Sequence, residues 1–336
     1  MRAAAIFGLG SSDKDLAPFQ KNSAVEWRVG MPGSSAEADA ILLFGGDGTI
    51  HRHLPQLVRL ALPVLVVPCG SGNDFTRALG LRRVRDSVTA WQNFAAKGGN
   101  VRTIDLGVIT PLADSPQRLK PVSSNTPNGT SEDVPFPMQR NFPAAGEYRP
   151  PSTNEHLRLE AGTPHYFCCI AGVGLDGEVA RRANRLPRWL RGHGGYALSL
   201  PAALLRFAPL PMKIFQRENS SGSWAVTTDK PTVLAAFANA PVYGGGMRIA
   251  PRARMDDGQL DICLVMDINM FKLFCLFPSV YFGRHLGLKD VEYFQSDGLR
   301  LETEYPLDVY ADGEFVCQTP VEVGVAPGAL RVIVPA

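Results

Sequence analysis

The sequence predicts an α/β domain built on a parallel sheet, followed by an all-β, sandwich-like domain. Three observations carry this expectation. Residues 41 to 80 use one design twice: a short apolar strand, a glycine turn with an aspartate, then a helix. Residues 110 to 162 turn to Pro, Ser, Asn, Thr and Glu, a composition that cannot offset its ordering entropy by burial. From residue 163 onward, short apolar strands alternate with Gly and Asp-Gly turns. The expected boundaries are 1–109 for the α/β domain, 110–162 for a mobile insertion, and 163–324 for the β domain. The last strand, near 325–336, is a candidate to rejoin the first sheet.

The first strand is Ala3 to Phe7, ending at Gly8-Leu9-Gly10-Ser11-Ser12, which reads as a plain strand-to-helix turn. Met31-Pro32-Gly33-Ser34 breaks any helix before the next strand. That strand, Ile41 to Phe44, runs into Gly45-Gly46-Asp47-Gly48-Thr49. A helix follows from Ile50 to Leu62, with Pro55 in its first turns. His51 and Arg52 read as part of its solvated polar face. Strand Pro63 to Val67 leads to Gly70-Ser71-Gly72-Asn73-Asp74. Glycines let the backbone turn sharply and approach a ligand. The amides of such turns, with the helix N-terminus behind them, attract phosphate. Asp47 and Asp74 would repel bare phosphate, so a cation is expected between them. Mg²⁺ suits this, because it takes oxygen ligands and bridges carboxylates to phosphates. The stretch thus predicts a Mg²⁺-nucleotide site at the C-terminal edge of the sheet. A second helix, Val84 to Ala96, ends at Gly98. The strand Val101 to Ile109 carries Asp105, which needs either a cation or a salt-bridge partner.

Gly-Gly-Asp-Gly-Thr followed by Gly-Ser-Gly-Asn-Asp-Phe-x-Arg resembles the diacylglycerol kinase catalytic domain, a family of lipid kinases. The resemblance implies a phosphofructokinase/NAD-kinase-like nucleotide-binding domain, then a β domain that holds the lipid. It implies transfer of the γ-phosphoryl of ATP to a lipid hydroxyl in the cleft between them. It names Gly45, Gly46, Asp47, Gly48, Thr49, Gly70, Ser71, Gly72, Asn73 and Asp74 as nucleotide-binding. It also joins Asp105 to Asp47 and Asp74 in a Mg²⁺ network that works partly through water. Gly244-Gly245-Gly246-Met247 and Asp257-Gly258-Gln259-Leu260-Asp261 match the family too. There the resemblance implies a structural Mg²⁺ on the Asp257 carboxylate and the Arg254 and Gln259 carbonyls. By pattern alone, Asp256-Asp257-Gly258 is a hairpin turn. Asp312-Gly313-Glu314 matches the family's closing motif, with Glu314 as general base and Asp312 as its neighbour; the same residues suit a hairpin turn. The chain departs from the family in three places. It lacks an Asn-Pro motif after the first strand, has His51-Arg52 where Asn-Glu is usual, and has Cys169 where asparagine is usual. Two other readings stay open: an NAD or small-molecule kinase on the same scaffold, and a non-catalytic nucleotide-binding regulator.

In the β domain, Tyr166 to Ile170 begins the strands, and Asp176 either caps a helix at 178–184 or helps close the cleft. Trp189 to Pro211 contains an apolar helix that suits an acyl chain, a bilayer or the sheet. Thr232 to Ala238 is a buried strand. The aromatic run Met270 to Phe282 fits a lipid-facing wall or core packing equally.

Composition sets the outer limits. The chain has 336 residues, 45% hydrophobic and 20% charged, which fits two ordinary domains. A net charge of +2 gives no reason to expect nucleic acid. The six cysteines form no spacing framework and read as buried reduced thiols. No apolar run reaches the roughly 20 residues of a membrane span. The expectation is a cytoplasmic protein meeting its lipid at a membrane surface; peripheral contact with the inner membrane and a homodimer both stay open.

Overall fold

A computed structural model describes residues 1–21, 25–113, 161–175, 177–179, 182, 209–218 and 223–336. Nearly all of the insertion, Asp176, most of the helix expected at 178–184 (178, 179 and 182 are described, as helix) and nearly all of Trp189 to Pro211 lie outside the described residues.

The first domain contains β1 (Arg2–Phe7), β2 (Glu26–Val29), β3 (Ala40–Gly45), α1 (Asp47–Leu60), β4 (Val64–Pro68), α2 (Asp74–Ala78) and α3 (Val84–Lys97). β2, β1, β3 and β4 lie side by side in that order, all parallel. Ile41 to Phe44 and Val64 to Val67 are buried throughout, as strands covered on both faces must be. The strand order reverses between β1 and β3, and ligands of open α/β sheets bind outside the C-terminal ends of strands at such a switch. Gly46 caps α1 at this point. Two expectations need correction here. α1 begins at Asp47 and runs through Pro55 in its interior, so the proline does not mark the first turns. Between β1 and β3 lies an unexpected edge strand, β2, only four residues long, although Val25-Glu26-Trp27-Arg28-Val29 alternates apolar and polar.

The second domain follows from β5 (Val101–Pro111), which begins beside the first sheet and ends in the second. Next come β6 (His165–Phe167), β7 (Ile170–Gly174), β8 (Leu210–Glu218), β9 (Ser223–Thr228), β10 (Pro231–Ala238) and β11 (Leu260–Met266). A seven-residue helix, α4 (Met270–Leu276), leads into a 3-10 stretch, Phe277–Phe282. The chain closes with β12 (Val291–Ser296), β13 (Gly298–Thr303), β14 (Asp308–Ala311), β15 (Glu314–Gln318) and β16 (Val321–Ile333). One layer is β15-β14-β7-β10-β11-β12, and the other is β9-β8-β13-β16-β5-β6. Phe167, Val173, Phe237, Ile262, Leu301 and Val323 pack in the core between them. The strand expected from Tyr166 to Ile170 breaks at Cys168-Cys169, which separate β6 from β7.

β5 and β16 form one antiparallel ladder from Val101↔Ile333 to Val321↔Pro111, interrupted between Ala326 and Leu330. β16 pairs with β13 at one end and, in parallel, with β4 through Val332↔Val64 at the other. The two domains therefore share a spine of backbone hydrogen bonds.

Of the six cysteines, all free, four are buried; Cys69 is half-buried and Cys275 is exposed, which corrects the expectation of uniform burial.

Candidate active site

The two glycine turns touch backbone to backbone. A Cβ on Gly46 would sit 2.3 Å from the Gly72 carbonyl oxygen, so only glycine allows the approach. The Asp47 N–H donates to that same carbonyl (3.1 Å). The Asp47 carboxylate accepts from the N–H groups of Asp74 (3.0 Å) and Phe75 (3.1 Å), at the start of α2. Burial, and then the charge of Asp74, push the Asp47 carboxyl up to about 7. Asn73 folds its amide onto the Gly70 peptide, accepting at 3.2 Å and donating at 2.8 Å. The Thr49 side chain packs beneath the turn, against Gly8 and Gly45. Ser71 and Gly72 are exposed.

Asp74 is buried and carries the site into the β domain. It pairs with Arg77 and accepts from the Gly245 N–H (2.9 Å). Gly244, Gly245 and Gly246 all have positive φ (59°, 89° and 103°), backbone that glycine adopts without strain. Burial raises the Asp74 carboxyl against the pull of these amides.

The Asp312-Gly313 hairpin closes the cleft from the other side. Asp312 has φ +50° and Gly313 φ +84°, the left-handed pair of a two-residue hairpin between β14 and β15. The Asp312 side chain is 2% exposed. Its carboxylate accepts from the N–H groups of Cys168 (2.8 Å), Cys169 (2.8 Å) and Ile170 (3.3 Å). It also meets His51 Nδ1 at 3.3 Å. Glu314 is exposed and rests over the phosphate turn, since a Cβ on Gly48 would lie 2.7 Å from its Oε1.

His51 corrects the reading of a solvated helix face. Its side chain is 17% exposed and faces Asp312. Burial disfavours the imidazolium, but the hydrogen bond and charge of Asp312, with Glu314 adding, raise its pKa above the ordinary value. No sequence pattern announces this pairing. Cys169, where the family has asparagine, contributes its amide to Asp312. Burial, then the Asp312 and Asp47 charges, push the Cys168 and Cys169 thiols up, so both stay protonated.

Asp105 is held by the backbone of other segments. It lies opposite the break in the β5–β16 ladder, and its carboxylate accepts from the N–H groups of Gly328 (2.7 Å) and Gly258 (2.7 Å). Its own N–H donates to the Met255 carbonyl (2.6 Å). Backbone amides thus answer the buried acid, where a cation or a salt bridge was expected. Among the described residues, no three His, Cys, Asp or Glu side chains are grouped to hold a metal ion. At the 256–258 turn, the Asp257 carboxylate accepts from the Gln259 N–H (3.2 Å) and Gln295 Nε2 (3.3 Å). Arg254 pairs with Asp256. For Asp47 and Asp74 the fit to a divalent cation is good. Two neighbouring carboxylates, both raised by burial, form a site short of positive charge, and each oxygen retains lone-pair capacity.

Beside this cleft the β domain encloses a chiefly apolar cavity. Val233, Tyr243, Met247, Leu273, Phe277 and Val280 are among its lining residues. Tyr243 adjoins the glycine turn that holds Asp74.

Residues 22–109 match the model of the diacylglycerol kinase catalytic domain. Residues 169–334 match the YegS C-terminal NAD kinase beta sandwich-like domain. The chain thus carries a diacylglycerol kinase catalytic domain followed by a YegS-type C-terminal domain. It is 29% identical over 297 residues to a diacylglycerol kinase of Mycobacterium tuberculosis, covering 88% of this chain and 77% of that one. It is 23% identical over 294 residues to the diacylglycerol kinase of Bacillus subtilis, covering 85% and 74%. The fold matches the solved structure of a diacylglycerol kinase from Bacillus anthracis, with a TM-score of 0.60 over 99% of this chain and 96% of that one, at 16% identity. Among the described residues, no helix is long and apolar enough to cross a membrane.

Proposed function

We propose that this chain transfers the γ-phosphoryl group of ATP to a lipid hydroxyl, in the cleft between the glycine turns and the Asp312-Gly313 hairpin. The observation that carries this reading is the Glu314 carboxylate standing over Gly48, at the mouth of the phosphate turn. Phosphoryl transfer depends on positioning and charge neutralisation more than on covalent help. The amides of the two glycine turns hold the nucleotide phosphates. Asp47 and Asp74 hold Mg²⁺, which when bound offsets the charge of the phosphate oxygens. Glu314 accepts the proton of the lipid hydroxyl as its oxygen attacks the γ-phosphorus and the bond to ADP breaks. Asp312, clamped by three amides and His51, fixes the hairpin that carries Glu314. Asp105 acts as a fastener behind the cleft. A second Mg²⁺ is proposed at the 256–258 turn, on Asp257 with the Arg254 and Gln259 carbonyls. The apolar cavity takes the acyl chain of a lipid presented at a membrane surface.

The test is incubation of the purified protein with labelled ATP, Mg²⁺ and micelles of diacylglycerol, sphingoid base, ceramide or phosphatidylglycerol, with NAD as control. A labelled lipid supports the reading and names the acceptor class. Label in NAD alone would transfer the assignment to a nucleotide kinase. Bound ATP with no labelled product would leave a regulator.

A further inference from the structure

α4 and the 3-10 stretch after it have two different apolar faces. The inner face belongs to the cavity, through Leu273, Phe277 and Val280. The outer face presents Phe271 (77% exposed), Phe274 (50%) and Phe282 (72%) to solvent. Phe271 and Phe274 are three residues apart and so share one side of the helix. Three exposed phenylalanines on one short segment are unusual for a surface that meets only water.

The same segment reaches the catalytic cleft. The Arg248 N–H donates to the Val280 carbonyl (3.1 Å), which ties the 3-10 stretch to the segment just after the Gly244–Gly246 turn, whose Gly245 N–H donates to Asp74. This wall therefore has the cleft at one end, the cavity behind it and bare aromatic rings in front.

Charge narrows the choice of partner. From Ile268 to Lys289 the chain carries Lys272, Arg284 and Lys289 and no acidic residue. Arg284, Lys289 and the adjoining Arg248 are exposed. Lys272 is paired with Asp290, one of the two acids, with Asp267, that bracket the segment. Aromatic rings ringed by exposed arginine and lysine suit a boundary where apolar chains meet negative headgroups.

We propose that the outer face of Phe271–Arg284 docks on a lipid bilayer that contains anionic headgroups, and that the acyl chain of the acceptor passes behind this wall into the cavity. The docking stands on the exposed rings and charges alone; the passage of the acceptor rests on the lipid kinase reading above. The rings enter the headgroup–acyl boundary, and Arg248, Arg284 and Lys289 face the lipid phosphates.

The experiment compares the full chain with a Phe271→Ser/Phe274→Ser/Phe282→Ser variant and with Arg284→Glu. The first readout is co-sedimentation with vesicles of phosphatidylcholine containing phosphatidylglycerol, and with vesicles of phosphatidylcholine alone. The second is phosphorylation of a long-chain lipid in those vesicles and of a short-chain, water-soluble analogue. The wild type is expected to bind the anionic vesicles. The triple variant should lose about tenfold or more of that binding, given the apolar area its rings would bury. Arg284→Glu should weaken binding to anionic vesicles selectively. Turnover of vesicle-borne lipid should fall in step, with turnover of the short-chain analogue unchanged. Equal vesicle binding by wild type and triple variant would overturn the proposal. So would a wild type that forms a dimer which the triple variant loses, with vesicle binding unaltered, since the face would then belong to a second copy. Loss of vesicle binding in the variant, together with no phosphorylation of any lipid by the wild type, would uphold the docking surface and reject the kinase reading.

Discussion

His51 Nδ1 lies 3.3 Å from Asp312 Oδ2 across 261 positions of sequence. The contact joins the helix behind the phosphate turn to the hairpin that carries Glu314. With the Glu314 carboxylate over Gly48, it ties together the two motifs on which the proposed chemistry depends.

The first prediction concerns that link. The pKa of His51 is raised above 6.5 in the fold, chiefly by Asp312 working against burial. A group raised on folding adds stability that is complete below its unfolded pKa and is lost as pH climbs through the folded value. His51→Ala should therefore cost about 1–2 kcal/mol at pH 5.5. The gap to wild type should narrow steadily toward pH 8.5. The charges facing the ring from other elements are Asp312, Glu314 and His165. Thermal melts across this range decide the matter, and a gap independent of pH would remove the ion pair from the account.

Asp47 should give the metal-free protein a slope in the same direction. Its carboxyl rises from 3.8 to about 7 on folding, so its ionisation near neutrality works against the fold. Stability should fall as pH rises from about 4 to 7, and Asp47→Asn should flatten that fall. Mg²⁺ added above pH 7 should raise the melting temperature of wild type by more than that of the variant, which keeps only the site proposed at the 256–258 turn. Turnover by Asp47→Asn should drop by at least about a hundredfold. Equal Mg²⁺ stabilisation of both proteins would place the ion elsewhere.

Asp105→Asn separates a fastener from a metal ligand. The substitution puts a neutral amide where two backbone N–H groups now donate to a carboxylate. A loss of about 2–4 kcal/mol is expected. It should appear in denaturant melts to the same extent with and without Mg²⁺. A stability loss seen only with Mg²⁺ present would restore Asp105 to the metal set.

Glu314→Gln should reduce turnover by about 10²–10⁴-fold, the usual contribution of a general base, with nucleotide affinity retained. Glu314 is exposed, so its replacement should leave the melting temperature where it is. Near-normal turnover would assign proton acceptance to another group.

Much of the site could be read from sequence because it is local. Gly46, Gly70 and Gly72 announce tight turns by residue type alone, and Asp312-Gly313 announces a hairpin. What could not be read is pairing over distance. His51 looks like any polar residue on a helix until β14 and β15 bring Asp312 beneath it. Asp105 shows the complementary limit. A buried aspartate in an apolar strand has several stable solutions, a cation, a salt bridge or backbone amides, and all look alike in one-letter code. Its partners, Gly258 and Gly328, lie 153 and 223 residues away, the second in a break of the β16 ladder. The Cys168-Cys169 kink is similar, because amides that a broken strand frees carry no side-chain signature.

The parallel pairing of Val332 with Val64 has a consequence for synthesis. Once β1 to β4 have left the ribosome, the β4 edge still lacks the neighbour that will cover it. Unpaired strand edges invite the wrong partner, including another nascent chain. The neighbour arrives only when translation has passed through every strand of the second domain. A ribosome stalled anywhere before Ala326 would therefore release a first domain with an open flank. Limited proteolysis of stalled chains of increasing length should show protection of residues 60 to 70 arriving late, together with the last strand.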